Sequence, residues 1–253
     1  MKLRRLGSLG LGLMMLAFTV ESAMAEDDIE FGFSADYFTK YIWRGQNLTD
    51  GSVFQPGFSV GYKGFTASIW GNLEMTSVND NSGEFTELDY TLDYTGAVPG
   101  IEGLSYSVGM IYYDFPNTAF EATTEIYWGF SLDAPFNPSI TVYHDVDEVD
   151  GTYVSLGFGH SIEKIFELGP DLPVGMELGA SLGWGSSAYN EAYWGVSGGK
   201  MQDLALSVSF PVDIGGWSLS PSLNYVTLLS DSIRDTGADS DMFFAGVSLS
   251  KSF

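Results

Sequence analysis

From Phe31 to Phe253 apolar and polar residues alternate with period two, in segments of about ten residues separated by turn chemistry. In the first, Phe31, Phe33, Ala35, Tyr37, Tyr41 and Trp43 form one face, and Glu30, Ser34, Asp36, Lys40 and Arg44 the other. The pattern returns through Phe58–Tyr62, Phe65–Leu73, Leu88–Tyr94, Leu104–Tyr112, Ala122–Leu132, Ile140–Val142, Val154–Phe158, Val174–Trp184, Leu204–Phe210, Trp217–Tyr225 and Phe243–Leu249. One such run is weak evidence. Twelve in register predict twelve strands, and the smooth apolar face with Trp and Tyr near segment ends (Tyr41, Trp43, Tyr62, Tyr94, Tyr112, Trp184, Trp217) predicts contact with lipid.

The expected fold is therefore all-β: a single antiparallel up-and-down transmembrane β-barrel of about twelve strands, preferred to a soluble sandwich. Tight connections at 63–64, 97–100, 134–137 and 213–216 follow every second strand. These suit periplasmic turns, while the polar, acidic links 46–52, 78–83, 147–151 and 230–240 suit the outside; an even count then leaves both termini periplasmic. Residues 163–172 read as a longer turn with room for a helical turn. Residues 189–199 read as either a strand extension or an external loop.

The first residues bear on compartment. Lys2, Arg4 and Arg5 precede an apolar run from Leu6 to Val20 and the small-residue sequence Ser22-Ala23-Met24-Ala25. This predicts a cleaved secretory signal peptide, 1–25, and a barrel over 26–253. Cleavage removes three of the ten basic and one of the 33 acidic residues, so a chain of formal charge −23 becomes more acidic still. Such a balance disfavours nucleic acid as a partner and favours cations or neutral small solutes. With Cys 0, disulfides, thiolate metal sites and lipidation on cysteine are excluded. Outer-membrane barrels commonly end in a Phe that the assembly machinery reads; Phe253 fits that role, although Lys251 replaces the usual aromatic two residues earlier. The expected partners are outer-membrane lipid and lipopolysaccharide, the barrel assembly machinery, and small solutes or cations, with localisation in the Gram-negative outer membrane.

If the apolar face meets lipid, the other face lines the lumen. It is small and acidic: Ser and Gly dominate, Asp36, Glu74, Glu87, Asp89, Asp93 and Glu125 point in against Lys40 and Arg44, and Trp70, Tyr113 and Tyr127 narrow the passage. Carboxylate rings select cations. Asp36, Lys40 and Arg44, four residues apart on one strand face, would be spaced about 13 Å per step, putting both bases opposite the acidic wall from Glu87 to Asp93. That arrangement reads equally as a transverse field at a constriction or as ion pairs that plug a closed barrel.

Enzymatic readings find little support. His144 and His160 lack a serine two positions away, so the Ser/His pairing of a lipid hydrolase is missing, and His144-Asp145 are strand neighbours that face opposite ways. The acidic segment Asp145–Gly151 departs from calcium-loop spacing, and a solvated loop bridged by divalent ions to lipopolysaccharide is the better reading. No catalytic residue, metal or cofactor is expected.

The first hairpin carries a resemblance. Asp36-Tyr37-Phe38-Thr39-Lys40-Tyr41-Ile42-Trp43-Arg44-Gly45, then Pro56-Gly57-Phe58, Gly64 to Asn72 and Glu87-Leu88-Asp89-Tyr90 resemble the N-terminal pattern of proteobacterial outer-membrane porins of the TorF type, over the first third of the mature chain. The resemblance implies passive transport and supplies no substrate. The expectation is a narrow, weakly cation-selective diffusion channel, with a closed structural or surface-interaction barrel as the alternative and an outer-membrane hydrolase behind both.

Overall fold

The computed structural model describes residues 29–253; the segment read as a signal peptide lies outside them. The strands are β1 (Glu30–Phe38), β2 (Tyr41–Trp43), β3 (Gln46–Thr49), β4 (Val53–Tyr62), β5 (Phe65–Glu74), β6 (Phe85–Ala97), β7 (Leu104–Asp114), β8 (Thr123–Leu132), β9 (Ser139–Asp145), β10 (Thr152–Gly169), β11 (Leu172–Gly185), β12 (Lys200–Ser209), β13 (Val212–Ile214), β14 (Trp217–Leu228) and β15 (Asp241–Ser252). Two short helices, α1 (Ser187–Trp194) and α2 (Asp231–Arg234), lie in the last two long loops.

The wall is a closed antiparallel barrel of twelve staves, each strand paired with its sequence neighbour, β12 and β13 continuing one another across Phe210-Pro211. Closure is made by β1 on β15, with Ala35 opposite Leu249 and the Phe253 amide donating to the Phe31 carbonyl at 2.9 Å. A closed sheet leaves no edge, which is the condition for crossing hydrocarbon with strands.

Side chains divide as the alternation requires. Phe31, Phe58, Leu92, Val108, Trp128, Leu206 and Phe243 stand exposed on the outer surface, while their neighbours turn inward. Lys251 is outward as well, and its ammonium sits over the rings of Trp217 (5.3 Å) and Phe253 (4.7 Å). The aromatic expected two residues before the end is replaced by a cation stacked on two other aromatics.

Two expectations fail here. Residues 163–172 are not a helical turn: β10 runs to Gly169 and a two-residue turn leads into β11. A register shift between Ile162 and Phe166 inserts residues into the ladder and breaks the alternation that would have marked the strand. The second failure concerns Tyr41, Trp43, Lys40 and Arg44. The first wall strand ends at Phe38, and residues 41–49 form a separate two-stranded hairpin that pairs with itself alone. Its turn is Arg44-Gly45, both left-handed (φ 45 and 80), the geometry of a two-residue type I′ connection. A Cβ on Gly45 would press on Leu228 at 2.8 Å and Asp203 at 3.0 Å, so glycine is needed there twice over. This hairpin folds into the barrel, with Tyr41, Ile42, Arg44 and Thr49 buried. Tyr41 and Trp43 are therefore plug residues, not an interfacial belt.

The remaining long loops, 75–84, 115–122, 146–151, 186–199 and 229–240, emerge at the hairpin's end of the barrel, and the short turns at the other. Residues 189–199 settle as loop and helix. Ser186 caps α1 by accepting from the Tyr189 amide, and Gly195 ends it in the left-handed conformation (φ 66).

Because Leu92 stands on the outer face midway along β6, Leu92→Arg is expected to destabilise the barrel by about 2–4 kcal/mol, beyond what Leu92→Ala costs. Urea titration of the protein refolded in liposomes measures the difference.

Candidate functional site: the plugged lumen

The lumen has two halves of different character. Toward the short turns, Ser105, Ser107, Ser207, Ser218, Ser220 and Ser248 line it and remain solvent-accessible. Toward the long loops the wall residues Gln55, Asn72, Glu74, Glu87, Tyr113, Glu125, Asp145, Asp203 and Asn224 are all buried, because the hairpin and α1 fill the space between them.

Arg44, at the hairpin tip, organises the fill. Its Nη1 and Nη2 donate to the two carboxylate oxygens of Glu125, each at 2.7 Å. Side-chain exposure is only 5% and 2% for the pair. Aromatic rings surround the guanidinium: its Cζ is 4.5 Å from the Trp43 ring centroid, 4.6 Å from Tyr143, 4.5 Å from Tyr153 and 5.8 Å from Tyr189. Planar, weakly hydrated guanidinium is the cation that such packing suits. Burial by itself disfavours the charge on Arg44, but Glu125 more than offsets it and the group is held protonated even more firmly than usual. Burial pushes the Tyr189 phenol well up, leaving it neutral, and its hydroxyl accepts from Arg44 Nη1 at 3.5 Å.

Around this centre the inward carboxylates are met by hydroxyl and amide donors. Tyr113 donates to Glu125 at 2.8 Å, Tyr41 to Glu87 at 2.5 Å, Tyr153 to Asp203 at 3.0 Å and Tyr127 to Asp93 at 2.7 Å. Glu74 accepts from Thr49 (3.0 Å) and Asn79 (2.8 Å), which ties the hairpin to the next loop. Two inward oxygens, Oε2 of Glu74 and Oδ1 of Asp89, have no hydrogen-bond partner. An amide ladder, Gln55 to Asn72 (2.9 Å) and Asn72 to Thr86 (2.9 Å), links neighbouring staves, and Asn190 of α1 donates to the carbonyls of Gly185 (2.9 Å) and Gly198 (2.8 Å).

The residues singled out from sequence separate accordingly. Arg44, Tyr113 and Glu125 meet; Trp70, opposite Asp89 in the ladder, packs edge-on to Tyr41 at 5.9 Å; Asp93 and Tyr127 pair lower down. Asp36 is inward on β1 and half-buried. Lys40 stands apart from these carboxylates, in an ion pair with Asp50 at the hairpin base. The expectation that Lys40 and Arg44 face Glu87–Asp93 from the first strand is thus corrected: the chain bends at Thr39-Lys40, and Arg44 reaches Glu125 on the opposite part of the wall.

Tyr143, Tyr153, Tyr189 and Asp203 escaped the sequence reading. Their signal was present, since Tyr143 and Tyr153 are bulky aromatics on the face that elsewhere carries Ser and Gly. Gly183 is matched to them: a Cβ there would collide with the Tyr153 hydroxyl and Asp203. Asp145, read as part of an acidic loop, is instead a buried strand end whose carboxylate takes the Thr123 hydroxyl (2.7 Å) and the amides of Asp147 (2.9 Å) and Val149 (3.1 Å). His144 faces outward, with Nδ1 3.0 Å from the Thr152 hydroxyl and Nε2 3.5 Å from the exposed Asp150. Among the described residues, no group of three or more His, Asp or Glu is placed to hold a metal ion.

Comparison with known protein families finds no match, and comparison with curated sequences finds none either. Solved structures do match in fold. The porin NanC shares 10% identity over 87% of this chain and 98% of its own, with a TM-score of 0.51. LpxR from Salmonella typhimurium shares 10% identity over 87% and 99%, with a TM-score of 0.54. The chain shares their fold, a closed antiparallel β-barrel of porin-like architecture. That architecture by itself assigns no activity.

Glu125→Ala leaves the Arg44 charge buried without its partner and is expected to cost about 3–5 kcal/mol. The double variant Arg44→Met/Glu125→Leu should lose much less, and chemical denaturation of the three proteins in the same lipid makes the comparison.

Proposed function

We propose that the protein is a porin of the outer membrane, of the TorF type that its first hairpin resembles, which lets small solutes pass with a preference for cations. The single observation that carries this reading is the sign of the lumen. Asp36, Glu74, Glu87, Asp89, Asp93, Glu125, Glu177 and Asp203 line it at successive depths, and Arg44 is the base buried among them. Fixed carboxylates inside low-dielectric walls concentrate cations and repel anions. The serine-lined half supplies a wet vestibule; the filled half is the barrier, and passage requires the hairpin tip or α1 to yield.

In this reading the long loops face the exterior and both chain ends the periplasm. Asp147, Glu148, Asp231, Asp235 and Asp239 then meet lipopolysaccharide through bridging divalent ions, and Phe253 serves the assembly machinery. A second reading, a closed structural or surface-interaction barrel, is favoured by one observation: the plug is packed as tightly as a soluble core, with Ile42, Tyr189 and Asn190 essentially inaccessible.

Planar-bilayer recording in asymmetric KCl separates the two. Small, intermittent conductance reversing at a cation-preferring potential is expected, and a variant with residues 41–49 replaced by a short Gly-Ser linker should conduct continuously. An anion-preferring potential overturns the selectivity. Silence from both proteins supports the closed barrel.

A further inference from the structure

The surroundings of Arg44 divide by origin. Glu125, with Tyr113 donating to it, and the rings of Tyr143 and Tyr153 belong to wall strands, and Tyr189 belongs to the capped helix α1, its hydroxyl 3.5 Å from Nη1. The occupant comes from elsewhere: Arg44 sits on the turn of a hairpin that shares no backbone ladder with the wall. Lifting that tip withdraws Arg44 and Trp43 and leaves behind a carboxylate held by a phenol, beside the adjoining rings of Tyr143 and Tyr153, whose centroids are 6.4 Å apart and each within 4.6 Å of the Arg44 Cζ position. A bidentate carboxylate with aromatic faces is complementary to a guanidinium and much less so to an ammonium, which offers neither the planar fork nor the stacking face.

We propose that Glu125, Tyr113, Tyr143, Tyr153 and Tyr189 form a binding site for small solutes bearing a guanidinium group, that Arg44 is its resident occupant, and that such a solute frees the hairpin tip by taking Arg44's place. Recognition and release are then one exchange. The charge count inside the box is the same before and after, so the exchange does not strand the Glu125 carboxylate without a partner, which is the costly outcome for a buried charge. The displaced Arg44 moves toward the loop end, where solvent can take it. The binding half of this proposal stands independently; the opening half rests on the channel reading.

The probe is argininamide at millimolar concentration, with lysinamide at equal concentration and ionic strength as control. Thermal unfolding of purified R44A is expected to shift upward with argininamide and not with lysinamide, the wild type shifting far less because Arg44 competes. In R44A/E125Q the apparent affinity should fall by about tenfold or more. Equal effects of the two amides on R44A, or an undiminished shift in R44A/E125Q, overturn the site. Should R44A fail to fold, R44K carries the same test, since its ammonium cannot make the paired contact. In bilayers, argininamide added on the loop side of the wild type should raise the open fraction several-fold over lysinamide; no difference overturns the release step. A barrel that is silent throughout while R44A still prefers argininamide refutes the channel and leaves the site standing.

Discussion

In hydrocarbon a backbone amide has no water to turn to, and everything else in this molecule follows from that. Every wall strand must find two neighbours, so the sheet closes, β1 meeting β15 along Gly32–Phe38. Once closed, a period-two chain has no choice about its side chains. One set meets lipid and the other is confined to the lumen, where polar groups are cheap only if wet or paired.

The protein uses both solutions, at opposite ends. Near the short turns it keeps side chains small and lets water in. Near the long loops it imports a fill, namely a nine-residue hairpin from one loop and an eight-residue helix from another, and then satisfies nearly every buried carboxylate with a phenol, hydroxyl or guanidinium. Tyrosine suits this work because its ring fills volume while its hydroxyl donates to an acid without bringing a second charge. Arg44 is the exception that carries charge inward, and it is met on its edge by Glu125 and on its faces by aromatic rings. Ile42 completes the fill through the apolar cluster with Ala205, Val226 and Met242, so the plug is held by a hydrophobic foot as well as a polar head.

Much of this was legible beforehand. Strand number, the up-and-down order and the inward placement of Asp93, Tyr113, Glu125 and Tyr127 follow from alternation, and turn chemistry separates the short turns at one end from the long loops at the other. The hairpin was misread because Tyr41 and Trp43 keep the parity of β1. Ile42 between them was the clue: three consecutive apolar residues cannot have one face in water, and a lipid-facing strand does not need them. The extension of β10 to Gly169 is hidden for the opposite reason, a bulge between Ile162 and Phe166 that interrupts the count.

Sequence alone decided the division between outside and inside, since parity along a strand is a local property that no later packing can reverse. It also decided the acidic sign of the interior. Only the tertiary structure decided which inward groups meet. Arg44 and Glu125 lie 81 residues apart, and Tyr153 and Tyr189 approach them from two further elements. Such a meeting depends on how the barrel curves and how far a loop reaches into it, and neither quantity is written in the spacing of residues along the chain.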